Sequence, residues 1–210
     1  MKIAFDYRFF EGASREDWFP IFQDILKGHD LVLTDQDGRP DQDVKGLIAF
    51  NLFDDPLEKF PNLDHVFALV HGVNAFVKSP YMDSRLTLYR LIDKGLIQAM
   101  REYIMSMILR LHVNHETYEQ DQKNKEWKGI SYTPPLASTR RIGFLGAGQL
   151  GTACAQDAFY MGFPVSCWSR SEKDIKGVTS YFGPDQLDNF LAQSDILVIL
   201  APLTPETHNL

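Results

Sequence analysis

Three glycines carry the strongest chemical signal in the chain. Arg141-Ile142-Gly143-Phe144-Leu145 reads as a strand and runs directly into Gly146-Ala147-Gly148-Gln149-Leu150-Gly151, then into a helical stretch ending near Gly162. A new strand follows at Val165 to Ser169. Glycines at this spacing are a weak signal alone, but strand before and helix after supply the context a dinucleotide-binding turn requires. Gly146 permits a tight turn. Gly148 lets backbone approach a diphosphate that a Cβ would strike. Gly151 lets helix and strand pack closely. The N–H groups of Gln149, Leu150 and Gly151 would then face the phosphates, aided by the helix dipole. The competing reading is a glycine-rich turn with no ligand.

The end of the next strand discriminates between cofactors. NAD-type sites place an acid about 20 residues after the glycines to hold the ribose hydroxyls. Here that region reads Trp168-Ser169-Arg170-Ser171, with no acid until Glu172. A guanidinium pairs with a 2′-phosphate and the two hydroxyls add hydrogen bonds, whereas a carboxylate would repel it. NADP is therefore expected over NAD, with Ser169, Arg170 and Ser171 as its contacts. The alternative is a solvated Arg170 that only stacks on adenine. A later apolar strand, Asp195 to Leu200, ends at Ala201-Pro202-Leu203-Thr204-Pro205-Glu206-Thr207. Ligands of doubly wound sheets lie beyond the carboxyl ends of strands, which places this turn beside the dinucleotide. Two prolines that simply stop a strand are the plainer reading.

Other candidates are weaker. His112 and His115 share a helix face at i,i+3, but without further ligands no metal site is expected. Asp35-Gln36-Asp37-Gly38 resembles part of a calcium loop, yet Gly46 stands where the closing Glu belongs, so a solvated turn is expected. Met100, Met105 and Met107 suit packing. Ser169 sits in no nucleophile elbow, so hydrolase chemistry has no support.

Periodicity identifies the elements that must position these groups. Lys2–Tyr7, Leu31–Leu33, Leu47–Phe50 and Val66–Val70 read as strands, and Leu86–Leu91 alternates as a fifth would; continuous apolar runs suit parallel strands buried on both faces. Ser14 is expected to cap a helix whose apolar positions Trp18, Phe19, Phe22, Ile25 and Leu26 fall on one face and which stops at Gly28. From Gly95 to about Val113 the period becomes helical, with Leu96, Ile97, Met100, Tyr103, Ile104, Met107, Ile108 and Leu111 on one side. A polar stretch and Thr133-Pro134-Pro135 separate that helix from a second α/β unit. Three regions are expected: 1–94, a connecting helix and linker over 95–132, and 133–210. Strands alternating with helices define an α/β layer architecture.

The chain has 210 residues, 44% hydrophobic and 23% charged, which is ordinary globular composition. Its net charge of −7 leaves no basic surplus in either half, so a nucleic-acid partner is not expected. The longest strongly apolar run, Ile196–Leu203, is far shorter than the roughly 20 residues of a membrane helix. Two cysteines, Cys154 and Cys167, are too few for a disulfide framework, which suits a reducing, cytoplasmic compartment.

Taken together, the residues resemble the D-isomer-specific 2-hydroxyacid dehydrogenase family, in particular its glyoxylate/hydroxypyruvate reductase A branch. Phe144–Gly151, Gly162-Phe163-Pro164, Cys167–Arg170 and Pro202–Thr207 carry the likeness, with Val66–Leu69, Gly72-Val73 and Tyr89 through Met100, Glu102 and Tyr103 in the first part. The resemblance implies a flavodoxin-like substrate domain followed by an incomplete Rossmann domain, with the active site in the cleft between them. It also implies an NADPH-dependent reductase of small 2-oxo acids that forms a homodimer. Backbone amides of the loop at His71, Gly72 and Val73 would hold the substrate carboxylate, and Met100 would pack near the nicotinamide. Two departures stand out. His71 replaces a small residue and Asn74 replaces an Asp. The family's catalytic arginine, acid and histidine lie beyond the Thr204–Thr207 turn, at positions expected after Leu210. Read this way, the chain is an N-terminal portion that binds cofactor without turnover. The alternative class is a non-catalytic dinucleotide-binding or scaffold protein.

Overall fold

A computed structural model describes residues 1–8, 15–34, 40–129, 133 and 135–210. The expected cap at Ser14, the Asp35–Gly38 turn and Pro134 lie outside the described residues. The chain divides into two compact units, Met1–Asp93 and Lys94–Leu210.

In the first unit, β1 (Lys2–Phe5), β2 (Asp30–Leu33), β3 (Val44–Ala49), β4 (His65–Ala68) and β5 (Thr87–Arg90) pair in parallel in the order β2-β1-β3-β4-β5. This is the flavodoxin-like order of a doubly wound sheet. The apolar runs behave as their composition requires. Ile3 and Phe5 face one side with Leu31, Leu33 and Ile48, where Trp18, Phe19 and Phe22 of α1 (Arg15–Ile25) cover them. Ala4, Leu47 and Val66 face the other side with Phe60 and Phe76. Gly28 ends the turn after α1 with a φ of +92°, the left-handed region that glycine enters at little cost. Two one-turn helices, α2 (Pro56–Lys59) and α3 (Asn74–Val77), have no counterpart in the periodicity reading. Four residues are too few to express a 3.6-residue period. Asp55 caps α2 by accepting the Leu57 N–H at 2.9 Å.

The second unit opens with α4 (Lys94–His112) and α5 (His115–Asn124). It continues with β6 (Ile142–Leu145), α6 (Gln149–Tyr160), β7 (Val165–Ser169), β8 (Val178–Phe182), α7 (Leu187–Ala192) and β9 (Ile196–Ile199). Its strands are all parallel, in the order β8-β7-β6-β9. The long amphipathic helix belongs to this unit. Ile104 and Ile108 of α4 are buried with Ile142, Phe144, Cys154 and Phe163. Arg101 of α4 binds Asp157 of α6 through two hydrogen bonds of 2.7 and 2.6 Å. His112 and His115 do not share a helix. Asn114, at φ +54°, breaks the chain between them. His112 is buried edge-on to Phe163, ring centroids 5.0 Å apart, while His115 pairs with Glu119 at 3.3 Å. Among the described residues no helix is long and apolar enough to cross a membrane.

Candidate functional site

The three glycines of the β6–α6 turn have three different reasons to be glycine. Gly146 sits at φ +110°, and a Cβ there would lie 2.6 Å from the Ala201 backbone nitrogen. Its N–H donates to the Trp168 carbonyl at 2.8 Å, and the Leu145 carbonyl accepts the Leu200 N–H at 2.8 Å. The turn is thereby tied to the ends of β7 and β9. Gly151 is crowded in another way: its Cβ would fall 1.9 Å from the Gly146 carbonyl oxygen. Gly148 has no such constraint. Its φ of −76° suits any residue, and a Cβ would meet nothing within 4 Å. Among the described residues nothing presses on that position.

Gly148 is also the N-cap of α6, and among the described residues no side chain caps it. The first intrahelical bond runs from the Thr152 N–H to the Gly148 carbonyl at 2.9 Å. The N–H groups of Gln149, Leu150 and Gly151 therefore have no partner within the helix, as at any helix start. They stand at the positive end of its dipole, over exposed Gly148 and Gln149. An open backbone concavity with unspent donors fits a dinucleotide diphosphate.

The flanking candidates lie on the same carboxyl edge. Trp168 anchors the end of β7 by donating its ring N–H to the Gly183 carbonyl at 2.8 Å. Ser169 donates to the Ser171 carbonyl at 2.7 Å, which shapes the turn that presents Arg170. Arg170 and Ser171 are exposed, and Arg170 makes no ion pair among the described residues. Hydrogen bonding from Thr204 holds the Glu206 carboxyl below its ordinary range, with a smaller contribution from the Arg170 charge. Beyond β9, Pro202 and Leu203 are exposed and Ala201 is half-buried. The Thr207 hydroxyl is spent inside its own turn, accepting the Thr204 N–H at 2.8 Å and donating to the Pro202 carbonyl at 2.5 Å. It shapes the turn rather than reaching outward. Met100 is half-buried against the core and lines, with Val198 and Leu200, a groove of about 320 Å³ between α4 and β9.

In the first unit, His71, Gly72 and Val73 follow β4 at the carboxyl edge of its sheet. Gly72 is exposed with open space around its Cα, and Val73 is half-buried at the start of α3. The His71 ring is half-buried, and its Nε2 is enclosed without a hydrogen-bond partner among the described residues. Sequence reasoning passed over two features. One is the packing of Gly146 on Ala201, which joins residues 55 positions apart and leaves no local signal. The other is an ion cluster of Asp6, Arg8 and Asp54 at the end of β1.

Comparison with known proteins gives a consistent picture. Residues 105–210 match the model of the D-isomer specific 2-hydroxyacid dehydrogenase NAD binding domain. A glyoxylate/hydroxypyruvate reductase A from Serratia proteamaculans is 39% identical over 150 residues, covering 69% of this chain and 47% of that protein. One from Photorhabdus laumondii is 32% identical over 218 aligned positions, covering 100% of this chain and 66% of its own length. An NADPH-dependent glyoxylate/hydroxypyruvate reductase from Sinorhizobium meliloti, solved with NADP and sulfate, superimposes with a TM-score of 0.83 at 28% identity. That match covers 98% of this chain and 63% of the solved one. The chain thus spans between about half and two thirds of the relatives it matches. It belongs to the D-isomer specific 2-hydroxyacid dehydrogenase family, in the glyoxylate/hydroxypyruvate reductase A branch.

Proposed function

We propose that this chain serves NADPH-dependent reduction of a small 2-oxo acid, of the glyoxylate or hydroxypyruvate type, to the 2-hydroxy acid. The observation that carries the reading is the uncapped start of α6: open space at Gly148 beside the unspent N–H groups of Gln149, Leu150 and Gly151. Those amides would hold the diphosphate. Arg170, exposed and without an ion pair among the described residues, would pair with a 2′-phosphate, and Ser169 and Ser171 would flank it. Once bound, the reduced nicotinamide supplies the hydride. Met100, Ala201, Pro202 and Leu203 would give that end of the cofactor an apolar surround that excludes water. In the first unit, the backbone of His71, Gly72 and Val73 would hold the substrate carboxylate. Relatives solved with NADP or NADPH support the choice of cofactor.

Binding without turnover is the behaviour proposed for the chain alone. Exposed Leu96, Tyr103, Met107 and Leu111 on α4 support a homodimer built on that helix. Fluorescence titration of this chain with NADPH and NADH tests the cofactor reading. NADPH is expected to bind about tenfold or more tighter, and tighter NADH would contradict it. Glyoxylate-dependent NADPH oxidation by the chain alone is expected to be absent. Turnover would show that the proton donor lies within residues 1–210.

A further inference from the structure

The sheet of the first unit reverses its strand order between β1 and β3, whose connections run to opposite sides. In doubly wound sheets that point, beyond the carboxyl ends, is where ligands sit. A charged trio stands there. Asp6, directly after β1, is buried, and its N–H donates to the Ile48 carbonyl at 2.8 Å. Its carboxylate accepts the Arg8 backbone N–H at 3.1 Å, Nε at 2.9 and 3.1 Å, and Nη2 at 2.5 Å. The adjacent, terminal edge of the same guanidinium forks onto Asp54, with Nη1 at 2.8 Å and Nη2, which it shares with the Asp6 side, at 3.0 Å. The Phe53 ring packs on the guanidinium, 5.1 Å from its carbon.

The two halves of this trio differ in kind. Asp6 is 4% exposed, and losing its cation would leave a buried charge unpaired. Asp54 is 47% exposed and Arg8 38%, so their pair is solvent-screened and contributes little. The inner half therefore fixes the guanidinium in place. The outer half is an exchangeable contact in the bidentate geometry by which arginine recognises any carboxylate. Asp54 fills that position as a small acid would.

We propose that the outer edge of Arg8 is a carboxylate-binding subsite for small organic acids, which Asp54 occupies until such an acid displaces it. The subsite lies in the first unit and does not depend on the dinucleotide turn. Asp54 sets its affinity in two ways. It competes for the fork at a high effective concentration, and its charge repels the incoming anion. Removing that charge strengthens binding, and removing the fork abolishes it.

The probe is malonate, titrated into the chain at constant ionic strength and followed by calorimetry and by the Arg8 Nε–H resonance. Asp54→Asn is expected to bind malonate about tenfold or more tighter than the parent chain, with the Arg8 resonance moving to saturation. Adding Arg8→Lys, which keeps a cation beside Asp6 but loses the fork, is expected to cancel the gain. Equal affinity of parent and Asp54→Asn within twofold would overturn the proposal. So would a gain that survives Arg8→Lys, or malonate binding to Asp54→Asn while the Arg8 resonance stays still. The trio would then be a structural ion pair only.

Discussion

Gly151 presses so closely on Gly146 that a Cβ on the first would lie 1.9 Å from the carbonyl oxygen of the second. Three residues before Gly151, Gly148 faces open space out to 4 Å. The two glycines look alike in the motif and should fail differently. Gly151→Ala must displace backbone, and overpacking of this kind costs about 1–3 kcal/mol. Urea denaturation is expected to show that loss. Gly148→Ala meets no protein atom, and its effects as an N-cap substitution and on the unfolded chain largely offset, leaving stability within about 1 kcal/mol. Its dinucleotide affinity should nevertheless fall by about tenfold or more, because the Cβ would occupy the diphosphate's place. An unstable Gly148→Ala, or one that binds normally, would contradict the assignment.

Arg170 separates the two cofactors. Hydrogen bonds to a charged group contribute about 1.5–3 kcal/mol. Arg170→Ala is therefore expected to weaken NADPH by about 10- to 100-fold while leaving NADH nearly unchanged. Equal losses for both would mean that the side chain stacks on adenine instead of reading the 2′-phosphate.

Acid should loosen the second unit through Asp195. Its carboxylate accepts the Arg141 backbone N–H at 2.8 Å and Nη2 at 2.7 Å, which holds its pKa at about 2, down from 3.8. The ionised form is favoured in the fold, so its contribution is complete above pH 4 and drains away as pH falls toward 2. Asp195→Asn is expected to lower stability at neutral pH and to flatten the pH dependence of the thermal midpoint between those limits. An unchanged acid limb would show that the pair contributes nothing.

Both thiols should be inert in the native state. Cys154 and Cys167 are free and buried, and burial pushes the Cys154 thiol up to about 11. Since the thiolate is the reactive species, Ellman's reagent is expected to find none at neutral pH and two after unfolding. Fast native labelling would place a thiol at the surface.

Much of this architecture was legible in the residues. Strands such as β3 and β6 lie where the apolar runs predict them, because parallel strands buried on both faces leave continuous patterns, whereas β5 and β8 stand partly exposed and leave no such run. The glycine turn was legible from its spacing between a strand and a helix, although of its three glycines only Gly151 is crowded by a local neighbour. The short α2, α3 and α7 were not, since four to six residues cannot display a helical period. The partner of α4 was equally hidden. A stripe such as Ile104 and Ile108 shows that a face is covered, and nothing in its spacing names α6 as the cover. Long-range pairs such as Arg8 with Asp54 leave no pattern at all.

Backbone amide resonances of an isotope-labelled chain, followed while NADPH is added, test the diphosphate turn most directly. Gln149, Leu150 and Gly151 should shift together and saturate, and Gly148→Ala should abolish the shift while the protein stays folded. Saturating NADPH that leaves those three amides unmoved would contradict a phosphate cradle at the start of α6.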